Sequence, residues 1–477
     1  MGVDALGVDT LGVDAWGVDA WGINVWDSEV SRRPVWAEID LAALRSNAAW
    51  LSELVAPARL CAVVKAFGYG HGPVRAAEAA LAGGASWLAV ATVEEGLQLR
   101  HSGITEPVLL LSEPVAGAMP DVVAGALTPT LYTLAGVDAA ARAVATYGAK
   151  RPLCVHVKVD TGMHRVGADP DEAVEVACAA AAHPEIRVEG LCTHFAVADE
   201  PDDPFTALQL RRFSAVAGRL AERGVRPSVL HAANSAGAIA FPGARLDLVR
   251  CGIALYGLAP SPVLVPACDG LRPALLLKAR VSYVKRVDAG ERVSYGLRYR
   301  FGQPTTVATV PIGYADGLPR RLSATAGEVL IGGRRRPIAG TVTMDQITID
   351  CGDDPVQAGD EVVLLGAQGN EEITAWEWAT RLGTIAYEIV CGISSRVPRV
   401  YVPDHGVAGA AGVPLSAGVP ATHSGAGGDG GAGKDGGAGK DEGAGKDEGA
   451  CEGGGPGIRA VPAIRAPHGM VSPVGRG

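Results

Sequence analysis

The chain has 477 residues, 48% hydrophobic and 20% charged, enough for two or three domains and a sizeable packed core. Its net charge of −10, with no basic cluster beyond Arg334-Arg335-Arg336, argues against nucleic acid or an anionic membrane surface as a partner. The nine cysteines are dispersed and include no C-x-x-C pair, so neither a disulfide framework nor a structural zinc site is expected.

Residues 1–26 repeat a five-residue unit, from Gly2-Val3-Asp4-Ala5-Leu6 to Gly22-Ile23-Asn24-Val25-Trp26. That period matches neither helix nor strand, so 1–32 is read as a disordered tail, and an over-extended start site would look the same. It has acidic rather than basic residues and no continuous apolar segment, so it is not a secretory signal. No window reaches eighteen apolar residues, and the expected location is cytoplasmic.

Residues 34–39 alternate like a strand, and Asp40 can cap a helix carrying Leu41, Leu44, Ala48, Leu51 and Val55 at helical spacing. From 60 to 250, eight short apolar runs follow, at 60–64, 87–91, 107–111, 128–131, 153–159, 187–193, 228–231 and 247–250. Alanine-rich helical patterns such as 134–147, 170–182 and 206–222 separate them. This α/β alternation points to a (β/α)8 TIM-type barrel over 33–270. An open doubly wound sheet is the competitor, but no G-x-G-x-x-G follows the first strand.

After residue 271 the segments 274–287, 305–312, 328–331, 336–350 and 360–365 are valine- and isoleucine-rich, with Gly, Asp and Pro at the breaks. They read as a mostly antiparallel β domain over 271–403, with one helix near 374–382 and strand 34–39 returning to join it. The arginine trio is expected to decorate a hairpin turn. Residues 404–477, rich in glycine and alanine with repeated Gly-Ala-Gly-Lys-Asp, are expected to form a flexible tail.

The chemistry gathers where the barrel strands end. Lys65 closes the run 60–64, and glycines 68, 70 and 72 let the backbone turn tightly after it. A lysine at the mouth of a buried strand is placed to form a Schiff base with an aldehyde cofactor, although a surface lysine flanking a strand would read alike. The later strands end in Lys158 to Arg165, Thr193-His194-Phe195, Ala233-Asn234-Ser235 and Asp247 to Ile253. Basic and hydroxyl groups converge there with few carboxylates, which suits an anionic ligand. Ser235, Gly252 and Ile253 follow strands seven and eight, where barrels hold phosphate. Singly, His194 reads as a structural histidine, Arg250 as a salt-bridging arginine and Gly252 as a turn residue.

Six motifs in order make the stretch from Arg33 to Val402 resemble alanine racemase. They are Val64-Lys65-Ala66-Phe67-Gly68-Tyr69-Gly70-His71-Gly72, Lys158 to Arg165, Thr193-His194-Phe195-Ala196, His231-Ala232-Ala233-Asn234-Ser235, and Arg250 to Gly257. The sixth groups Val293-Ser294-Tyr295-Gly296, Gly313 to Gly317 and Met344-Asp345-Gln346. The resemblance implies a pyridoxal 5'-phosphate enzyme acting on alanine as a homodimer, with no metal. Lys65 would carry the cofactor and serve as one catalytic base, and Tyr295 would be the other, reaching the partner's site. Arg250 would contact the pyridine nitrogen, with His194 linking it to Tyr295. Tyr69, Asn234, Ser235, Gly252 and Ile253 would hold the cofactor, while Arg165 and Met344 would bind substrate. Asp345 would support the site, and Lys158 would be open to carbamylation. Phe67 stands where the family usually has a small polar residue, Ser395 where a number of members place a tyrosine, and Thr341 where some carry an arginine. These departures leave turnover of serine open.

Three other classes are weighed against this resemblance. A barrel decarboxylase would normally set an acidic residue, not Arg250, on the ring nitrogen. A non-catalytic cofactor carrier needs no second base, and a cofactor-free barrel would leave Lys65 structural.

Overall fold

The structure, a computed structural model, describes residues 33–148 and 151–402; both expected tails lie outside the described residues. Strand β1 (Val35–Asp40) comes first, and the Asp40 carboxylate then accepts from Ala43 N at 2.8 Å, capping the helix Leu41–Val55. All eight expected barrel strands follow, as β2 (Arg59–Val63), β3 (Trp87–Val90), β4 (Val108–Leu110), β5 (Thr130–Leu131), β6 (Leu153–Lys158), β7 (Ile186–Cys192), β8 (Val229–His231) and β9 (Leu248–Cys251). They pair in parallel in the orders β4-β3-β2-β9 and β5-β6-β7-β8. Two seams join these sheets into a ring. At one, Leu109 and Thr128 form a parallel bridge; at the other, Asp247 N donates to Leu230 O and Arg250 N to Ala233 O, both at 3.0 Å. Strands β3 and β4 are buried along their whole length, which is why they read as unbroken apolar runs.

The second domain contains β10 (Leu275–Arg280), β11 (Tyr283–Val287), β12 (Arg292–Val293), β13 (Tyr299–Arg300), β14 (Thr305–Val310), β15 (Glu328–Ile331), β16 (Arg334–Pro337), β17 (Ile347–Asp350), β18 (Glu361–Gln368), β19 (Glu371–Ile373) and β20 (Arg399–Val402). The larger sheet runs β16-β15-β18-β10-β1-β20, and β11-β14-β17 forms a second. Every pair is antiparallel except β1 with β20. Among the described residues no helix is long and apolar enough to cross a membrane.

Three sequence expectations need correction. The arginine trio is not turn decoration: Gly332 and Gly333, both at positive φ, make the turn, and Arg334–Arg336 form β16 itself. There Arg335 pairs with Glu328, Glu371 and Glu377, so the charges serve an ion-pair network. The run 336–350 is not one strand. It breaks after Pro337 and resumes at Ile347, because Gly340 at φ +83 turns the backbone against Val293 and Ser294. Finally, a short helix, Ala386–Cys391, was not anticipated; it packs on the segment after Lys65.

Candidate active site

Lys65 sits two residues beyond the end of β2, at the C-terminal mouth of the barrel. The four residues after it form a single turn of left-handed helix, with φ of 53° at Ala66, 55° at Phe67, 59° at Gly68 and 51° at Tyr69. Each non-glycine residue there costs roughly 1–2 kcal/mol, so the turn must be held from outside. Glu95 Oε1 accepts from Ala66 N at 2.7 Å. From β20, Arg399 Nε donates to Gly70 O at 2.9 Å, and its guanidinium lies 5.1 Å from the Phe67 ring centroid. Three of the four remaining Arg399 hydrogens go to the carbonyls of Ile393, Ser394 and Val397. A Cβ on Gly70 would lie 2.1 Å from Val390 O, so only glycine allows this approach of the β domain. Burial, reinforced by the Arg165 cation and partly opposed by Glu95, lowers the Lys65 pKa and favours the free amine.

Arg250 is 5% exposed on β9 and meets only neutral acceptors. It donates to His231 Nδ1 at 2.7 Å, His194 Nδ1 at 3.1 Å, Thr193 O at 2.9 Å and Ala232 O at 3.0 Å. A guanidinium is a donor only, so both Nδ1 atoms must accept, and each neutral ring carries its hydrogen on Nε2. Burial, then the Arg250 charge, pushes both histidines well below the usual range, which keeps them neutral. Nη1 retains a second hydrogen beyond the one given to His231, and the Nε–H also makes no hydrogen bond among the described residues.

Across the mouth, the Ser235 hydroxyl oxygen accepts from Gly252 N at 3.0 Å and Ala254 N at 3.4 Å, leaving its O–H to donate elsewhere. The Gly252 N–H is thereby used, and Gly252 contributes through its missing side chain: a Cβ there would lie 2.3 Å from the Tyr69 hydroxyl. Tyr69 stacks on Tyr256 at 4.9 Å, and Tyr256 donates to Val63 O at 3.1 Å. Asn234 Oδ1 accepts from Gly237 N, starting the helix Ser235–Ala240, and Ile253 is fully buried beside Gly252.

Lys158 ends β6, with Nζ 3.3 Å from Leu111 O, and burial lowers its pKa. Asp160 builds the loop that carries Arg165, accepting from Gly162 N at 2.9 Å and from His164 N and Nδ1, both at 3.1 Å. Arg165 itself is exposed at the mouth. Gln209 ties this loop to the end of β7 by bonding Thr161, His194 O and Ala196 N.

The remaining candidates sit on the β domain. Tyr295 is 73% exposed, in a strained loop with Ser294 at φ 66° and Leu297 at φ 48°. Its carbonyl accepts from Thr341 Oγ1 at 2.9 Å, and Ser294 Oγ donates to Thr341 O at 2.8 Å. Met344 is exposed and its carbonyl accepts from Ala315 N, while Asp345 pairs with Arg396 at 2.7 Å. Ser395 is exposed. Within one chain these hydrogen bonds run among β-domain residues and reach neither Lys65 nor Arg250.

The barrel mouth thus combines a lysine amine whose pKa burial lowers, an anion cradle without a carboxylate, and a donor-only cation. That set fits pyridoxal phosphate. Sequence reasoning missed His156, Gln209, Glu95 and Arg399 as supports. His156 was findable, since it lies two residues before Lys158 on β6 and so shares its face. The others come from helices or strands remote in sequence.

Comparison with known proteins bears on the same stretch. Family models described as alanine racemase, N-terminal domain, and alanine racemase, C-terminal domain, match residues 39–260 and 274–401. The chain is 50% identical over 370 residues to an alanine racemase of Symbiobacterium thermophilum, spanning 77% of this chain and 97% of that protein. It is 46% identical over 373 residues to one from Thermobifida fusca, spanning 76% and 97%. The solved alanine racemase of Streptomyces coelicolor A3(2) superposes with a TM-score of 0.74 at 43% identity, over 78% of this chain and 98% of that one. The alanine racemase of Bacillus anthracis with bound L-Ala-P gives the same TM-score at 38% identity, over 78% and 96%.

Proposed function

The chain belongs to the alanine racemase family, and on that premise we propose how its residues divide the work. It is a pyridoxal-phosphate-dependent isomerase that interconverts L- and D-alanine. The bound cofactor supplies an electron-withdrawing ring that stabilises negative charge at the substrate Cα. Lys65 Nζ holds the cofactor and moves the Cα proton on one face; the lowered pKa of this amine supports the assignment. Tyr295 of the partner subunit moves the proton on the opposite face, as inversion at Cα requires two bases facing each other. Tyr69 and Ser235 donate to the phosphate, with Asn234, Gly252 and Ile253 shaping its cradle.

Arg250 would turn one of its remaining hydrogens, on Nη1 or Nε, to the ring nitrogen. Being a donor that does not give up its proton, it keeps that nitrogen unprotonated and disfavours side reactions. His194, its hydrogen fixed on Nε2, donates to the Tyr295 oxygen of the partner subunit. Arg165 takes the substrate carboxylate and Met344 contacts substrate through its backbone, with Asp345 anchoring that segment through Arg396. The Lys158 amine, neutral more readily than an exposed lysine, is a site for carbamylation that would orient Arg165.

A homodimer is supported by the exposed group Tyr295, Leu297, Tyr314 and Met344 on the β domain, which suits burial against a second copy. We place the barrel at 33–270 and the β domain at 271–403, on the change from parallel to antiparallel pairing. The cysteines of the described residues are all free thiols, consistent with a cytoplasmic enzyme supplying D-alanine to peptidoglycan.

The observation that carries the reading is Lys65, its pKa lowered by burial, in the same mouth as an arginine surrounded by neutral acceptors. Proton NMR of L-alanine with the enzyme in deuterated water, followed by chiral analysis, tests it. Loss of the α-proton signal with D-alanine appearing is expected. Exchange of serine but not alanine would replace this reading with a broader racemase.

A further inference from the structure

Behind Arg250 lies a line of buried side chains to which the roles above give no work. His231 Nε2 is 2.8 Å from His156 Nδ1, and both rings are fully buried. His156 Nε2 is itself buried with no hydrogen-bond partner, and the nearest acidic oxygen is Glu189 Oε2 at 4.0 Å. The donor-only guanidinium dictates the polarity of the whole line. Because His231 Nδ1 accepts from Arg250, its hydrogen is on Nε2 and is given to His156 Nδ1. His156 must then carry its own hydrogen on Nε2, aimed at the side where Glu189 stands.

The backbone is adapted to this arrangement. In the β6–β7 ladder Val155 pairs with Val188 but His156 pairs with Gly190, so Glu189 is the extra residue of a bulge. Bulges re-aim a side chain at the cost of a ladder hydrogen bond. At Gly190 a Cβ would lie 2.5 Å from His156 Cγ, so the glycine leaves the ring its room. Arg187 holds Glu189 Oε1 at 2.6 Å, leaving Oε2 for His156. Glu189 also lines an open cavity of about 550 Å³ with Trp87 and Cys154, where its charge keeps contact with water.

We propose that Glu189, His156 and His231 are positioning residues: a one-way hydrogen-bond line from Arg250 through His231 to His156, with the Glu189 carboxylate 4.0 Å from its open end, that fixes the direction in which Arg250 presents its hydrogen to the cofactor ring. The inference rests on Arg250 facing that ring, as assigned above.

Two readouts test it. In two-bond proton–nitrogen spectra of protein carrying ¹⁵N-histidine, recorded with and without pyridoxal phosphate, His156 and His231 should both show the neutral Nε2–H tautomer. Their signals are assigned from His156→Asn and His231→Asn. An Nδ1–H or doubly protonated ring at neutral pH at either position overturns the proposal. The second readout is turnover with the absorption spectrum of the bound cofactor. His156→Leu removes the acceptor of His231 and should lower kcat about tenfold, with KM for alanine changed less than about twofold, and should shift the cofactor band. His156→Asn, whose Oδ1 can stand in for Nδ1, should restore both. Glu189→Leu should act in the same direction and Glu189→Gln, which keeps an acceptor, should not. Wild-type spectra and kcat in both leucine variants would make the line inert packing and end the proposal. If His156→Leu does not fold, the Glu189 pair decides alone. If the unaltered protein fails to exchange the α-proton of alanine, the assignment of the site falls instead, and the tautomers still report on the line.

Discussion

Replacing Gly252 by alanine tests the phosphate cradle. The new Cβ would stand 2.3 Å from the Tyr69 hydroxyl and 2.7 Å from its Cζ, far inside van der Waals contact. Reaching an ordinary separation requires the hydroxyl to move by about 1 Å. Tyr69 cannot slide aside freely, because its ring stacks on Tyr256 at 4.9 Å and meets the tilted Tyr387 ring at 6.3 Å. A displacement of that size would break the hydrogen bond proposed from Tyr69 to the phosphate, worth about 1.5–3 kcal/mol, or about a ten- to hundredfold loss of cofactor affinity. The assay is titration of apoprotein with pyridoxal phosphate and with pyridoxal, which lacks the phosphate. Gly252→Ala should weaken the first and leave the second nearly unchanged. Unaltered affinity for pyridoxal phosphate would remove Tyr69 from the phosphate site. Equal weakening of both would mean that the substitution distorts the whole mouth.

Tyr295→Phe should lower racemisation about a hundredfold or more while the cofactor spectrum persists; near-normal turnover would sink the two-base assignment. Burial pushes His71 down to about 4 and His156 to about 3, so below about pH 6.5 the unfolded chain binds protons that the folded one does not. Each such histidine removes stability as pH falls, by about 1.4 kcal/mol per pH unit once its unfolded form is protonated. The melting temperature should therefore decline from pH 7 to 5, and a flat profile would contradict buried neutral rings. Arg399→Lys leaves a three-donor ammonium where four carbonyls, of Gly70, Ile393, Ser394 and Val397, are now served. The urea midpoint should drop by the equivalent of about 2–4 kcal/mol, and an unchanged midpoint would show that water replaces the guanidinium at no cost.

The barrel was legible because buried parallel strands are apolar on both faces, so 87–91 and 107–111 stood out without any alternation. Lys65, His194, Ser235 and Arg250 were legible because each follows or ends such a run. What stayed hidden depends on partners remote in sequence. The left-handed turn at Ala66–Tyr69 contradicts local preference at three of its four residues, and its Arg399 tether lies 329 residues beyond Gly70 in the sequence. The break at 338–346 was invisible because its valine and threonine content suits a strand. It is the docking of Gly340 against Val293 and Ser294 that bends it away.

The pairing of β1 with β20 has a consequence for how the molecule is made. Ala37 lies opposite Arg399, about 360 residues later, so the first strand of the described residues waits for the last of them to be synthesised. The same late segment supplies the Arg399 tether on Gly70. A nascent chain can close its barrel early, but the turn beyond Lys65 is fastened only when translation has delivered β20. Catalytic competence therefore waits for β20, and a chain that stops short of Arg399 should accumulate as a barrel with its lysine unset.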